Sequence, residues 1–366
     1  MSASPISQII AVSITLGLFA AIWGILRPRG LRVVLSASFF VAFLVATQLS
    51  VKLVESPPYN WKYPGLLTTL HFSCVVVACA LYWSWQGQPQ KILPWSIPPQ
   101  RWLKTVVPVA LSQPISVVFN NKAMVYAGAG VCAVIGTLSP VCTALLSSCA
   151  GRPLTVLSWG GVLVAFVGAA TISWGEITSA QEKGKSQIGQ GLIYAFASLT
   201  GRCAKIVILD YMMAPLAYGG PAEGNEEEPL SVIHVLMLTY PWGAVLSLTY
   251  ALCVGGESPQ QAWEQLTPQL AGFVALSCAF ALALNFLGTF ALRDLGASAQ
   301  QIVGKLNTIC LASISVAFLG EVLPLVVVLG SALVLGGVAI FERGQHEEEG
   351  ETDSGTEEHV ELKLVS

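Results

Sequence analysis

Charge is scarce in this chain. Asp, Glu, Lys and Arg make up 11% of its 366 residues, and His adds only four more. A soluble domain of this length could not cover its surface with so few ionisable groups. The missing charge is replaced by hydrophobic residues, at 54%, and the mean hydropathy is +0.67. Also missing are a P-loop, a nucleophile elbow and any zinc-ligand spacing, so nothing supports an embedded enzyme and no cofactor or metal is expected. The nine cysteines (Cys74, Cys79, Cys132, Cys142, Cys149, Cys203, Cys253, Cys278 and Cys310) all fall in apolar segments. That excludes an exposed disulfide framework and leaves them as small helix-packing residues. No Asn-x-Ser/Thr sequence occurs to mark a lumenal loop.

What the chain does have is long apolar runs. A membrane-spanning helix needs about 20 such residues. About eleven stretches qualify, near 6–26, 33–54, 64–84, 104–126, 131–150, 155–174, 188–210, 230–254, 269–291, 298–319 and 323–341. Barrel strands would be short and alternating, so the fold class is an all-α membrane protein. Residues 1–32 read as an N-terminal extra helix, retained as a signal anchor, with a basic loop behind it. Residues 33–342 form the bundle. Residues 343–366 are acidic, poor in apolar side chains and expected to be a disordered cytosolic tail. The loop at 211–229, with Glu226, Glu227 and Glu228, reads as a flexible linker between halves.

Threading the spans from the basic loop puts ten Lys and Arg in cytosolic segments: Arg27, Arg29, Arg32, Lys91, Arg101, Lys104, Arg152, Arg293, Arg343 and Lys363. The lumenal segments hold only Lys62, Lys183 and Lys185. Positive charge stays inside, which fixes the expected orientation.

The sequence also repeats. Gly151-Arg-Pro-Leu154 aligns with Gly320-Glu-Val-Leu323 at an offset of 169, which places Gly161 on Gly330, Gly168 on Gly337 and Ala170 on Ala339. Each half (33–175 and 186–342) then holds five helices, and an odd number inverts the second half relative to the first. Inverted repeats place a solute site between the halves near mid-membrane.

Five cations lie in or at the ends of apolar spans: Lys52, Lys122, Arg202, Lys205 and Lys305. A charge in hydrocarbon costs about 2.5–3.5 kcal/mol or more, so a one-signed set points to an anionic solute. Lys305 is the strongest candidate, deep in its span and flanked by Gly304, Asn307 and Thr308. Arg202 and Lys205 are three apart and share a helix face. Asp210 could pair with either and neutralise it. Lys52 and Lys122 can equally snorkel to the interface. Asn120, Asn121 and Lys122 make a polar cluster that either reads a ring or caps helices. Tyr126, Tyr240 and Trp242 either stack on a base or anchor the interfacial belt. His71 and His234 read as packed neutral histidines.

Three stretches carry a resemblance. Phe119-Asn-Asn121 with Tyr126, Leu138-Ser-Pro-Val-Cys-Thr-Ala-Leu-Leu-Ser147, and Val303-Gly-Lys-Leu-Asn307 through Gly320-Glu321 look like the third, fourth and ninth helices of the nucleotide-sugar/triose-phosphate translocators, in the drug/metabolite transporter superfamily. The resemblance covers residues 33–342 and is nearest to GDP-sugar transporters. It implies a ten-helix bundle of two inverted five-helix repeats, here with one extra N-terminal transmembrane helix. This chain departs from the GDP-mannose transporters' Gly-Ala-Leu-Asn-Lys at Lys305 and Thr308. It departs from their Phe-Tyr-Asn-Asn at Thr239-Tyr240-Pro241-Trp242. The plastid translocators' fourth-helix lysine aligns with Gly136, and the Asn-Lys common at the end of the family's first helix is Val51-Lys52 here.

The expected function is exchange of a nucleotide sugar for its nucleoside monophosphate by alternating access in a Golgi or ER membrane, a plastid envelope being the alternative. The expected binding residues are Lys305, Gly304, Asn307, Thr308, Asn121, Lys122, Arg202, Lys205 and Tyr240. The partners are a phosphate-bearing anion and the lipid bilayer, without nucleic acid, and a homodimer is left open. One rival is an organophosphate/phosphate antiporter. Another is a non-transporting receptor or scaffold whose active surface would be the acidic tail.

Overall fold

Proline, serine, threonine and glycine punctuate the chain where helices begin and end. Pro64, Pro259 and Pro268 open helices at positions where no backbone donor is needed. The Ser231, Ser258 and Thr267 hydroxyls cap the helices that follow them, accepting from the amides of His234, Gln261 and Leu270. Gly296 adopts φ 83° and separates two helices without an intervening loop.

The computed structural model describes residues 5–55, 57–93, 96–127, 132, 135–152, 154–179, 188–213, 229–307, 309–310, 326, 329–330 and 332–345. Its helices are α1 (Pro5–Leu26), α2 (Leu31–Glu55), α3 (Pro64–Trp85), α4 (Pro99–Ala127), α5 (Ser139–Cys149), α6 (Val156–Ser179), α7 (Ile188–Met213), α8 (Val232–Cys253), the short α9 (Pro259–Glu264), α10 (Pro268–Leu295) and α11 (Ala297–Gly304). A last helix, α12, runs over 332–345, three residues past the expected start of the acidic tail. No strand occurs among the described residues. Five helices, α2, α3, α7, α8 and α10, are long and apolar enough to cross a membrane. Of the expected linker at 211–229, residues 211–213 belong to the end of α7 instead, and 214–228 lie outside the described residues, as do the Gly320–Val322 turn and the tail beyond 345.

In a bilayer each helix must satisfy its own polar groups. Several hydroxyls inside the spans do so by bonding back to carbonyls three or four residues earlier, as Thr47 does to Phe43, Ser112 to Val109 and Thr289 to Asn285.

The packing is ordered. Helix α2 lies against α10, α3 against α8, α4 against α7 and α5 against α11. Helix α6 meets α12 at the glycines. A Cβ on Gly161 would lie 2.7 Å from the Gly337 carbonyl oxygen, and one on Gly168 would lie 2.6 Å from that of Gly330. Small residues let backbones approach this closely without hydrocarbon between them. Two apolar clusters are the largest of the interior. One cluster joins α1, α2, α6 and α12 through Leu18, Val41, Ala165 and Phe341. The other joins α3, α4, α7 and α8 through Val75, Val106, Met212 and Leu236.

One end of the bundle is basic and tied by ion pairs. Arg29 meets Glu342 at 2.6 Å, Arg32 and Arg293 both reach Asp294, and Arg152 pairs with Asp210. At the other end, both Glu257 carboxylate oxygens accept at 2.8 Å from the first amides of α3, those of Gly65 and Leu66. A carboxylate at a helix N-terminus is favoured by the exposed amides and the helix dipole.

Candidate functional site

Helices α4 and α7 are stitched at two levels. The Ser198 hydroxyl donates to the Ser116 carbonyl at 2.7 Å. One helical step nearer the basic end, Lys205 turns inward and donates to the Gln113 amide oxygen at 2.5 Å. Lys205 therefore points into the bundle rather than out to the interface. Together with Phe72, Thr239 and Tyr240, these two residues line a small cavity of about 10 Å³, room for about one water. Tyr240 has its ring edge-on to Phe72 and donates its hydroxyl to Asn285 at 2.6 Å. Pro241 follows within the helix and removes a backbone donor there.

Lys305, at the C-terminal end of α11, donates to the carbonyl oxygen of Gly136 at 2.8 Å. Gly304 lies beside it, with Phe40 the nearest neighbour of any Cβ placed there, at 3.6 Å. Arg202 is exposed, and its charge acts on both Lys205 and Lys305. Among the described residues, no ion pair joins these three cations to a carboxylate. The arrangement offers one guanidinium fork and two ammonium points to an anion.

Asp210 does not neutralise Arg202 or Lys205. Its carboxylate pairs with Arg152 and accepts from the amide of Ala297 at 3.1 Å. The reason is angular: five or eight residues along a helix do not bring side chains face to face, whereas three or four do. Asp210 instead joins the turn after α5, the end of α7 and the start of α11.

The other candidates are spread out. Asn307 reaches Gln48 at 3.4 Å, across to α2. Lys122 is exposed, with its ammonium 5.4 Å from the Tyr194 ring centroid, and Tyr126 stacks on the same ring at 5.8 Å. Lys52 is exposed at the end of α2, as snorkelling would have it. Trp242 packs edge-on to Trp102 rather than into the cavity. His71 and His234 are buried and bond the hydroxyls of Ser277 and Ser96. Thr308 and the side chain of Asn121 lie outside the described residues. Sequence reasoning missed Gln113, Phe72 and Asn285. Gln113 carried a usable signal, a polar amide inside an apolar run.

With the geometry in view, the comparisons can be placed on it. Residues 30–174 match the sequence model of the EamA-like transporter family. The matched segment runs from the start of α2 into α6, less than half of the chain, and is similar to a membrane-transporter domain. No curated protein matches the chain. A crystal structure of another protein superposes with a TM-score of 0.57 at 17% identity, over 82% of this chain and 94% of that one. At that identity the likeness is one of fold. The matched segment includes Gln113 and Gly136. The residues that complete the cationic centre, Arg202, Lys205 and Lys305, lie outside it.

Proposed function

We propose that the protein is an antiporter of phosphate-bearing anions, exchanging a nucleotide sugar for a nucleoside monophosphate across a Golgi or ER membrane. The observation that carries this reading is the set Arg202, Lys205 and Lys305, in which the Arg202 charge acts on both lysines and, among the described residues, no ion pair ties them to a carboxylate. Keeping like charges together in a membrane interior is costly, and an anion relieves that cost. Phosphate oxygens would take Lys305 and Arg202. The ring-bearing part would lie toward Phe72, Tyr240 and Gln113, with Asn307 and the Asn121–Lys122 segment as outer contacts.

Alternating access would follow from two inverted five-helix repeats, α2–α6 and α7–α12, with α1 added outside. The pairing of helices supports this. Exchanging each helix for its counterpart in the other half maps the principal packings onto one another: α2 on α10 becomes α7 on α4, and α3 on α8 maps onto itself. The EamA-like match, residues 30–174, also ends close to the boundary of the first repeat. Exchange rather than one-way flux follows if the empty cationic cavity reorients slowly without a counter-charge.

A second reading draws on the same cations. The enclosed space beside Lys205 is about 10 Å³, room for about one water, so it does not choose between solutes. A small organophosphate exchanged for inorganic phosphate would make the same phosphate contacts. Reconstitution in liposomes preloaded with nucleoside monophosphates or with phosphate separates the two. Counterflow driven by a nucleoside monophosphate but not by phosphate is expected; the reverse result would favour the organophosphate antiporter. Failure of both would return the chain to a receptor or scaffold, and deletion of the acidic tail would then abolish its function.

A further inference from the structure

Three ion pairs at the basic end join the first half of the chain to the second: Arg29 with Glu342, Arg32 with Asp294 and Arg152 with Asp210. The third is placed differently from the others, on the helices that carry the cations. Asp210 stands on α7 five residues beyond Lys205, about 7.5 Å of helix rise. Its carboxylate also holds the first amide of α11, that of Ala297, at 3.1 Å. Lys305 lies eight residues further along, about 12 Å of rise. One carboxylate thus ties α7 to α11 on the basic side of both lysines, and Arg152, in the turn after α5, adds a helix of the other half. An anion approaching the lysines from the basic end between α7 and α11 meets this node first. Left-handed glycines precede two of its members: Gly151, φ 85°, before Arg152, and Gly296, φ 83°, before Ala297. Such positions absorb a change of chain direction at little cost. The two charged partners also differ. The Arg152 side chain is 26% exposed and that of Asp210 only 5%, so the arginine is the one that a solute can reach.

We propose that Arg152 and Asp210 latch the entrance at the basic end, and that an entering anion opens it by taking Arg152 from Asp210. The inference rests on the anion-transport reading above and adds a step to it. A phosphate offers a guanidinium the same two-oxygen face as a carboxylate, so the two compete for one fork. Asp210 keeps the Ala297 amide when the arginine leaves. Arg152 is then the first cation on the path, ahead of Lys205, Arg202 and Lys305. A neutral or cationic solute has no hold on Arg152 and leaves the latch shut. The entrance therefore selects for negative charge before the inner cations do.

Access is read with Gln113→Cys, beside Lys205 and in the stretch between Cys79 and Cys132 that holds no native cysteine, so its labelled peptide is identified by mass. The full chain is held in sealed vesicles, and an impermeant maleimide is applied to each face in turn. Adding Arg152→Ala with Asp210→Asn removes both charges and strands neither. This pair is expected to speed labelling from the basic face about tenfold, equal to about 1.4 kcal/mol, and to leave labelling from the opposite face no faster. A bundle merely loosened would label faster from both faces, and that result overturns the latch, as does an unchanged rate. Separately, Arg152→Cys with Asp210→Cys, joined by a short bifunctional thiosulfonate, is expected to lower exchange of GMP or inorganic phosphate at least about tenfold until a reductant is added. Full exchange by the joined protein also overturns the latch.

The competition is read from the apparent KM of radiolabelled GMP and of inorganic phosphate offered at the basic face. Asp210→Asn weakens the hold on Arg152 and keeps the cation. Arg152→Ala with Asp210→Asn opens the same latch without it. The KM of the second variant is expected to exceed that of the first by about tenfold, the scale of a charge-assisted contact, and the two should agree at the opposite face. Equal values at the basic face overturn the part given to the anion. Faster labelling from the basic face, with no exchange of either probe by wild type, supports the latch and overturns the transport reading. Exchange by wild type with labelling unmoved overturns the latch and leaves the transport reading standing.

Discussion

Placing a single methyl group on the seam between α6 and α12 tests how closely the two helices must approach. In Gly161→Ala the new Cβ would sit 2.7 Å from the Gly337 carbonyl oxygen and 2.7 Å from the Phe341 Cα. Comfortable contact needs about 3.5–4.0 Å between carbons, so the helices must part by nearly an ångström. Both obstacles are backbone and cannot rotate aside. Overpacking of this kind costs about 1–3 kcal/mol. Against it stands the gain of up to about 1 kcal/mol for alanine over glycine in a helix. Gly160 provides the internal control. It precedes Gly161 in the same helix, and a Cβ there meets nothing within 4 Å. Gly160→Ala keeps the propensity gain without the clash and should be neutral or slightly stabilising. The two variants should therefore differ by about 1–3 kcal/mol, with the propensity effect cancelling. Thermal unfolding of detergent-solubilised protein, followed by fluorescence size exclusion, would read that as a few degrees of Tm. Equal Tm values, or a lower one for Gly160→Ala, would refute the close backbone contact.

Three further outcomes are expected. Arg152→Ala strands the Asp210 carboxylate, which is 3% exposed, and should cost about 3–5 kcal/mol in the same unfolding assay. Adding Asp210→Asn should recover much of that loss, and no recovery would mean the pair does not act as a unit. Arg202→Lys should raise the apparent KM for the exchanged anion, because an ammonium cannot reproduce a two-point fork; an unchanged KM in a liposome exchange assay would remove Arg202 from the site. Gly151→Cys and Gly320→Cys should label from opposite sides of sealed vesicles under an impermeant maleimide, and labelling from one side would end the inverted-repeat reading.

Much of the helical framework was legible because its signals are local. The expected stretch 6–26 became Pro5–Leu26 and 64–84 became Pro64–Trp85, since proline, hydroxyl caps and glycine act within a turn of where they stand. Lys205 and Lys305 were legible for a different reason: a charge in hydrocarbon stands out whatever surrounds it. The partners were not legible. The Gln113 amide that receives Lys205 lies 92 residues away in sequence, and the Gly136 carbonyl that receives Lys305 lies 169 away. Asp210 was sought as a partner for residues on its own helix, and its true partner, Arg152, stands 58 residues earlier. Periodicity describes which face a side chain shares, but the opposing helix supplies what that face meets. The repeat alignment shows the same limit. It paired Gly161 with Gly330 as equivalents, yet the antiparallel crossing of α6 and α12 sets Gly161 against Gly337.

The contacts of Arg29 bear on the order in which the chain assembles. Arg29 leaves the ribosome early, just behind α1, and its side chain ends against Glu342 and Gln345, the latter 316 residues downstream. Helices insert in sequence, so Arg29 has neither partner until the last helix has arrived. Glu342, at 3% exposure, cannot settle into its site without that guanidinium. This clasp therefore closes only when the bundle is complete. A chain stalled or truncated before α12 would hold Arg29 in water at the basic end, with Leu18, Ile22 and Leu26 deprived of Phe341 and Val338. A reporter pair at positions 29 and 345 would then distinguish chains that have merely inserted from chains that have finished folding.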